Sequence, residues 1–81
     1  MTRYASHFVY VPGRGFLKRH GVELAGGKAV RVFALEEGET AHTQWLPGVL
    51  EIEEDQRVFH CDPFDFIAMR PVSGTQRKQL R

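Results

Sequence analysis

The chain has 81 residues, 42% hydrophobic and 26% charged, with a formal net charge of +1, a balance typical of a small globular domain and foreign to disordered or fibrous chains. At this length one domain with a thin core is expected, and Cys61, the sole cysteine, leaves no intrachain disulfide to staple it. No apolar run approaches the ~20 residues of a membrane span, and the first residues lack the apolar stretch of a secretory signal, so the expectation is a cytoplasmic protein without membrane contact.

The charge is unevenly placed. Residues 1–20 carry Arg3, Arg14, Lys18 and Arg19 without an acid, whereas residues 36–55 carry Glu36, Glu37, Glu39, Glu51, Glu53, Glu54 and Asp55 without a base. Arg77, Lys78 and Arg81 make the last residues basic again. Such blocks either steer a charged partner or face one another within the fold or across a dimer.

The chain reads as a series of strands. His7-Phe8-Val9-Tyr10-Val11 is aromatic and β-branched, and Pro12-Gly13-Arg14-Gly15 stops it with a turn. Phe16 to Leu24 is a weaker strand in which Val22 and Leu24 alternate with Glu23. Ala25-Gly26-Gly27-Lys28 tolerates positive φ and predicts a tight hairpin into Ala29 to Leu35, with Val30, Val32 and Ala34 on one face. Glu36 to Gln44 predicts a loop or at most one helical turn. Pro47-Gly48 is a turn before Val49 to Glu53, with Leu50 and Ile52 inward, and Glu54-Asp55-Gln56 reverses the chain into Arg57 to Cys61. Asp62-Pro63 breaks or bends the next strand, because proline lacks a ladder donor, and Phe64 to Met69 is expected as the last strand. The domain thus spans residues 1–71, followed by a flexible basic tail over 72–81 with almost nothing to bury. About five to seven short, mainly antiparallel strands and no amphipathic helix predict an all-β sandwich or partly open barrel.

Phe16 to Leu24, the Gly-Gly turn, Lys28-Ala29-Val30-Arg31-Val32 and Leu46-Pro47-Gly48 together resemble the small composite β domain at the N-terminus of metal-dependent amidohydrolases. The resemblance covers about half the chain and implies a β module that leads through its proline-glycine into a catalytic barrel. That family follows its proline-glycine with a strand ending in His-x-His, two ligands of the catalytic metal, whereas Gly48 here leads to Val49-Leu50-Glu51-Ile52-Glu53-Glu54-Asp55. The barrel itself takes roughly 250 residues. The resemblance therefore implies the β module alone, and hydrolase activity is not carried over with it.

Metal chemistry has its candidates in His60, Cys61 and Asp62, with His42, His7 and His20 elsewhere in the chain. In a strand His60 and Asp62 face one way and Cys61 the other, and no CxxC, HxxxH or HxH spacing is present, so no cofactor is expected. Cys61 reads as a small buried hydrophobe, and its strand neighbour His60 points away from it rather than activating it as a nucleophile.

Pro12-Gly13-Arg14-Gly15 lacks the Lys-Ser/Thr ending of a P-loop and reads as a hairpin loop. Arg14, Lys18 and Arg19 beside Tyr10 and Phe16 compose the alternative of a single-strand nucleic-acid surface, in which bases stack on aromatic rings. The acidic middle and a pI near 8.0 argue against it. Tyr4, Tyr10, Trp45, Phe64 and Phe66 read mostly as core, and Trp45, before a Pro-Gly turn, is the one most open to an interface. The favoured expectation is a non-enzymatic β module that contacts another protein or a second copy of itself, with Trp45, Tyr10 and Phe16 as interaction residues. The remaining alternative is an orphan remnant of an amidohydrolase with weak metal binding.

Overall fold

The structure, a computed structural model, describes residues 2–35 and 42–81. Among these the chain is all-β: β1 (Thr2–Ala5), β2 (Phe8–Val11), β3 (Gly15–Lys18), β4 (His20–Ala25), β5 (Lys28–Ala34), β6 (Thr43–Trp45), β7 (Val49–Ile52), β8 (Val58–Asp65) and β9 (Arg70–Leu80). They form a four-stranded sheet, β5-β4-β1-β6, and a five-stranded sheet, β3-β2-β7-β8-β9. The pairing is mainly antiparallel, with β1–β6 and β2–β7 parallel.

Among the described residues the chain turns a corner from one sheet into the other three times, and the corner at Arg19 divides Phe16 to Leu24, which reads as a single strand, into β3 and β4. Only Ser6 and His7 separate β1 from β2, only Arg19 separates β3 from β4, and Leu46-Pro47-Gly48 separate β6 from β7. Each corner is tied by hydrogen bonds to a distant stretch of the chain, so its polar groups are paired as buried ones must be. Ser6 is fully buried, and its Oγ lies 2.6 Å from the Leu46 carbonyl and 2.7 Å from the Gly48 carbonyl, so one proton serves both. Leu46 N–H donates to Ala5 O at 2.8 Å, and Leu35 N–H donates to Arg19 O at 2.7 Å, where Arg19 has φ 57°.

Alternation places Val9, Leu50, Ile52 and Val58 of the five-stranded sheet against Val22 and Leu24 of the other, and this is the main core. Tyr4, Val11, Ala29, Val32, Leu46 and Leu80 surround it. A second cluster, Val49, Cys61 and Phe64 with Phe8, Phe16 and Met69, includes the cross-strand row Phe8, Val49 and Cys61, on the opposite face of the five-stranded sheet. The end of the β8–β9 hairpin supplies Phe64 and Met69 to it.

Several local readings are corrected. Phe64 to Met69 is not one strand: β8 runs through Asp62-Pro63, with a register shift there, and ends at Asp65. Asp65 Oδ1 accepts from Ile67 N–H at 2.9 Å and Ala68 N–H at 3.0 Å, closing a turn that Met69 leaves with φ 55°. Of residues 72–81, expected as a flexible tail, all but Arg81 belong to β9, whose partner is β8 from Val58 to Asp65. The side chains of β9 are indeed mostly exposed; ladder hydrogen bonds and a few ends such as Leu80 hold it. Val30 does not share a face with Val32, because the register shift at Glu23/Leu24 leaves it unpaired and exposed, while Ala29 and Val32 pack on the core. The predicted loop or helical turn over residues 36–44 lies outside the described residues as far as 41, and Thr43 and Gln44 belong to β6.

Candidate functional site

Phe8 and Tyr10 alternate with Val9, so both project from β2 onto the outer face of the five-stranded sheet, and Phe16 joins them from β3 through its pairing with Tyr10. The rings form a continuous path. Tyr10 meets Phe16 edge-on with centroids 5.0 Å apart, Phe16 meets Phe8 at 6.3 Å and Phe64 at 6.0 Å, and both of these meet Phe66, at 5.6 and 5.9 Å. Phe66 then contacts His7 at 5.0 Å, and His7 contacts Trp45 at 5.1 Å, both nearly perpendicular. Edge-to-face geometry at these separations is favourable beyond the apolar area it covers.

Burial is greatest in the middle of this path and falls toward its Trp45 end. Phe64 is buried and Phe8, Phe16 and Tyr10 are half-buried, while Trp45 and Phe66 keep 54% and 39% of their surface exposed. Ile67, next to Phe66 at the hairpin turn, is 98% exposed. The Trp45 end is fixed by the corner: Trp45 pairs with Ala5, and its neighbour Leu46 is bonded to Ala5 and Ser6. His7 follows Ser6 directly, so the same corner that joins the sheets aims His7 at Trp45.

Of the sequence-predicted interaction residues, Trp45 lies at the exposed end of the path and Tyr10 and Phe16 at its half-buried end. His7, Phe66 and Ile67 were missed. Phe66 read as strand core; the signal available was Asp65, a residue that initiates turns and here carries Phe66 and Ile67 out of the sheet.

The basic candidates do not converge with these rings as a group. Lys18, across from Phe8, holds its Nζ 5.9 Å from that ring, while Arg14 lies in the β2–β3 turn and Arg19 at the corner beyond β3, all three exposed. The metal candidates are divided too. His60 Nε2 donates to the Pro47 carbonyl, His42 is exposed before β6, Asp62 shares the His60 face, and Cys61 is buried on the other. Among the described residues no group of three or more His, Cys, Asp or Glu is placed to hold a metal ion.

Cys61 Sγ lies 3.5 Å from Glu51 Oε1, and the same oxygen accepts from Arg77 Nε at 2.9 Å. Arg77 also pairs with Glu53 and lies with its guanidinium carbon 3.7 Å from the Phe59 ring centroid. Burial, followed by the Glu51 charge, pushes the Cys61 thiol up to about 12. At neutral pH it is a protonated thiol, a poor nucleophile.

The fold and this site define a small all-β domain of two mixed sheets with an aromatic path emerging at one corner. No family model, curated protein or solved structure matches the chain. No helix among the described residues is long and apolar enough to cross a membrane.

Proposed function

We propose that the chain is a non-enzymatic β module that meets another protein chain, in the first instance a second copy of itself, through the corner formed by Trp45, His7, Phe66 and Ile67. The exposure of Trp45, Phe66 and Ile67 beside one connected set of rings carries this reading. Aromatic groups fixed on a rigid frame offer large contact area at little cost in side-chain entropy, and they dominate the centres of protein interfaces. A chain this small also gains proportionately from burying more apolar surface in a partner.

Trp45 is the only tryptophan, so its emission reports on this corner. Sedimentation velocity and tryptophan emission over a dilution series test the reading together. Reversible dimerisation with a blue-shifted Trp45 in the dimer is the expected outcome, and Ile67→Glu abolishes both. A second reading, single-strand nucleic-acid binding, draws support from the approach of Lys18 to the Phe8 ring. It predicts salt-dependent binding of labelled oligonucleotides, and its absence at low ionic strength removes that reading.

A further inference from the structure

We infer that the end of the molecule where the β4–β5 turn, the β7–β8 turn and the end of β9 meet is an anion site for a phosphoryl group, free or carried on a small molecule. Lys28, Arg57 and Arg81 come from three distant stretches of the chain and line one cleft of about 400 Å3 together with Gly26, Gly27 and Gln79. None of these lining residues is acidic.

Lys28 and Arg57 are set opposite each other by an antiparallel bridge between the two sheets. Like charges opposed across strands are destabilising. Elsewhere on this surface signs alternate, as in the row Arg3, Glu23 and Arg31, or with Arg77 against Glu51 and Glu53. Near the cleft, Asp55 Oδ2 accepts from Arg57 Nε at 2.7 Å, whereas Lys28 Nζ donates to the Asp55 backbone carbonyl at 2.9 Å, a neutral acceptor. Arg57 is thus paired with Asp55, and it also lines a neighbouring cleft with Glu53, Glu54 and Asp55, so the excess positive charge at this cleft rests on Lys28 and Arg81.

Gly26 and Gly27 have φ of 60° and 79°, and a Cβ on either would meet nothing within 4 Å, so this wall is bare backbone open to an approaching group. A phosphoryl group suits the site better than a carboxylate, because its three outer oxygens are shared among three cations. The guanidinium forks match it in paired hydrogen bonds and Lys28 adds a point charge.

Titration of the full chain at low ionic strength with inorganic phosphate, pyrophosphate and ribose 5-phosphate, followed by amide chemical shifts, tests the site. The arms separate a free from an ester-borne phosphoryl group. Saturable shifts centred on Gly26, Gly27, Lys28, Arg57 and Arg81 are expected. Lys28→Gln and Arg81→Gln, both at exposed positions, each weaken binding by about tenfold, the loss of one charge-assisted hydrogen bond. Shifts that fail to saturate, that centre on Arg14, Lys18 and Arg19, or that persist with unchanged affinity in both variants overturn the assignment.

Discussion

Gly48 sits where no side chain fits. Its φ is 95°, and a Cβ there would lie 2.1 Å from the Cys61 carbonyl oxygen and 3.0 Å from Asp62 Cβ. Both the backbone conformation and the close approach of β8 therefore exclude alanine, and Gly48→Ala is expected to cost about 3–5 kcal/mol by urea denaturation, in the range reserved for strained and overpacked sites. Gly13→Ala, with positive φ but open space around it, is the control and should lose only about 1 kcal/mol. Cys61 makes a second prediction at this scale. Its folded thiol is held near 12 by burial and by Glu51, above the ~8.5 of an unfolded cysteine. The unfolded chain therefore releases this proton first on raising the pH. The stabilisation is fully present below about 8.5 and is lost progressively as the pH rises toward the folded value. Urea midpoints measured between neutral and alkaline pH should decline less steeply in Cys61→Ala than in the parent chain, and native Cys61 should resist alkylation at neutral pH.

Strand β9 shows how an element can form with little apolar burial. It is a long edge strand whose inner neighbour β8 provides the ladder, and Arg77 ties it across β8 to Glu51 and Glu53 on and after β7. Arg77→Gln is expected to change global stability by about 1 kcal/mol or less, as exposed ion pairs do. Amide exchange from Arg77 to Leu80 should nonetheless quicken several-fold while β7 stays protected; equal exchange in the two proteins would show that the pair does not hold the strand. The element scale also explains what the sequence made legible. The hairpin at Gly26-Gly27 and the inward Leu50 and Ile52 follow from local turn chemistry and alternation, and both are present. The corners at Ser6 and Arg19 depend on partners far along the chain, Leu46, Gly48 and Leu35, so no local pattern announces them. β9 was illegible for a related reason: its hydrogen bonds belong to β8, and its own side chains record almost none of that stabilisation. Of the aromatic corner, Trp45 was readable beside its Pro-Gly turn, whereas His7 and Phe66 join it only through the fold.

At the scale of the whole molecule, two apolar clusters on opposite faces of one sheet replace a single large core, and charges pin the periphery. Glu23 is held below the usual carboxylate range chiefly by its hydrogen bond from Arg3, Asp55 by the Arg57 backbone N–H, and Asp65 by the Ala68 and Ile67 N–H groups. Each fold-depressed carboxyl contributes stability above its unfolded value and loses it as the pH falls through that value toward the folded one. The urea midpoint should therefore decline below about pH 4.5, where unfolded carboxylates begin to protonate; an unchanged midpoint from neutrality to pH 3 would count against these contacts. The same two-faced arrangement leaves the second cluster incompletely covered where it reaches Phe66, Ile67 and Trp45, and this is the surface we propose for protein contact. Sedimentation velocity of the parent chain and Ile67→Glu across the accessible concentration range, read alongside Trp45 emission, tests that assignment most directly. The account predicts a reversible dimer with blue-shifted emission in the parent and a folded monomer in the variant; a parent that remains monomeric with concentration-independent emission, or a variant that dimerises equally well, would contradict it.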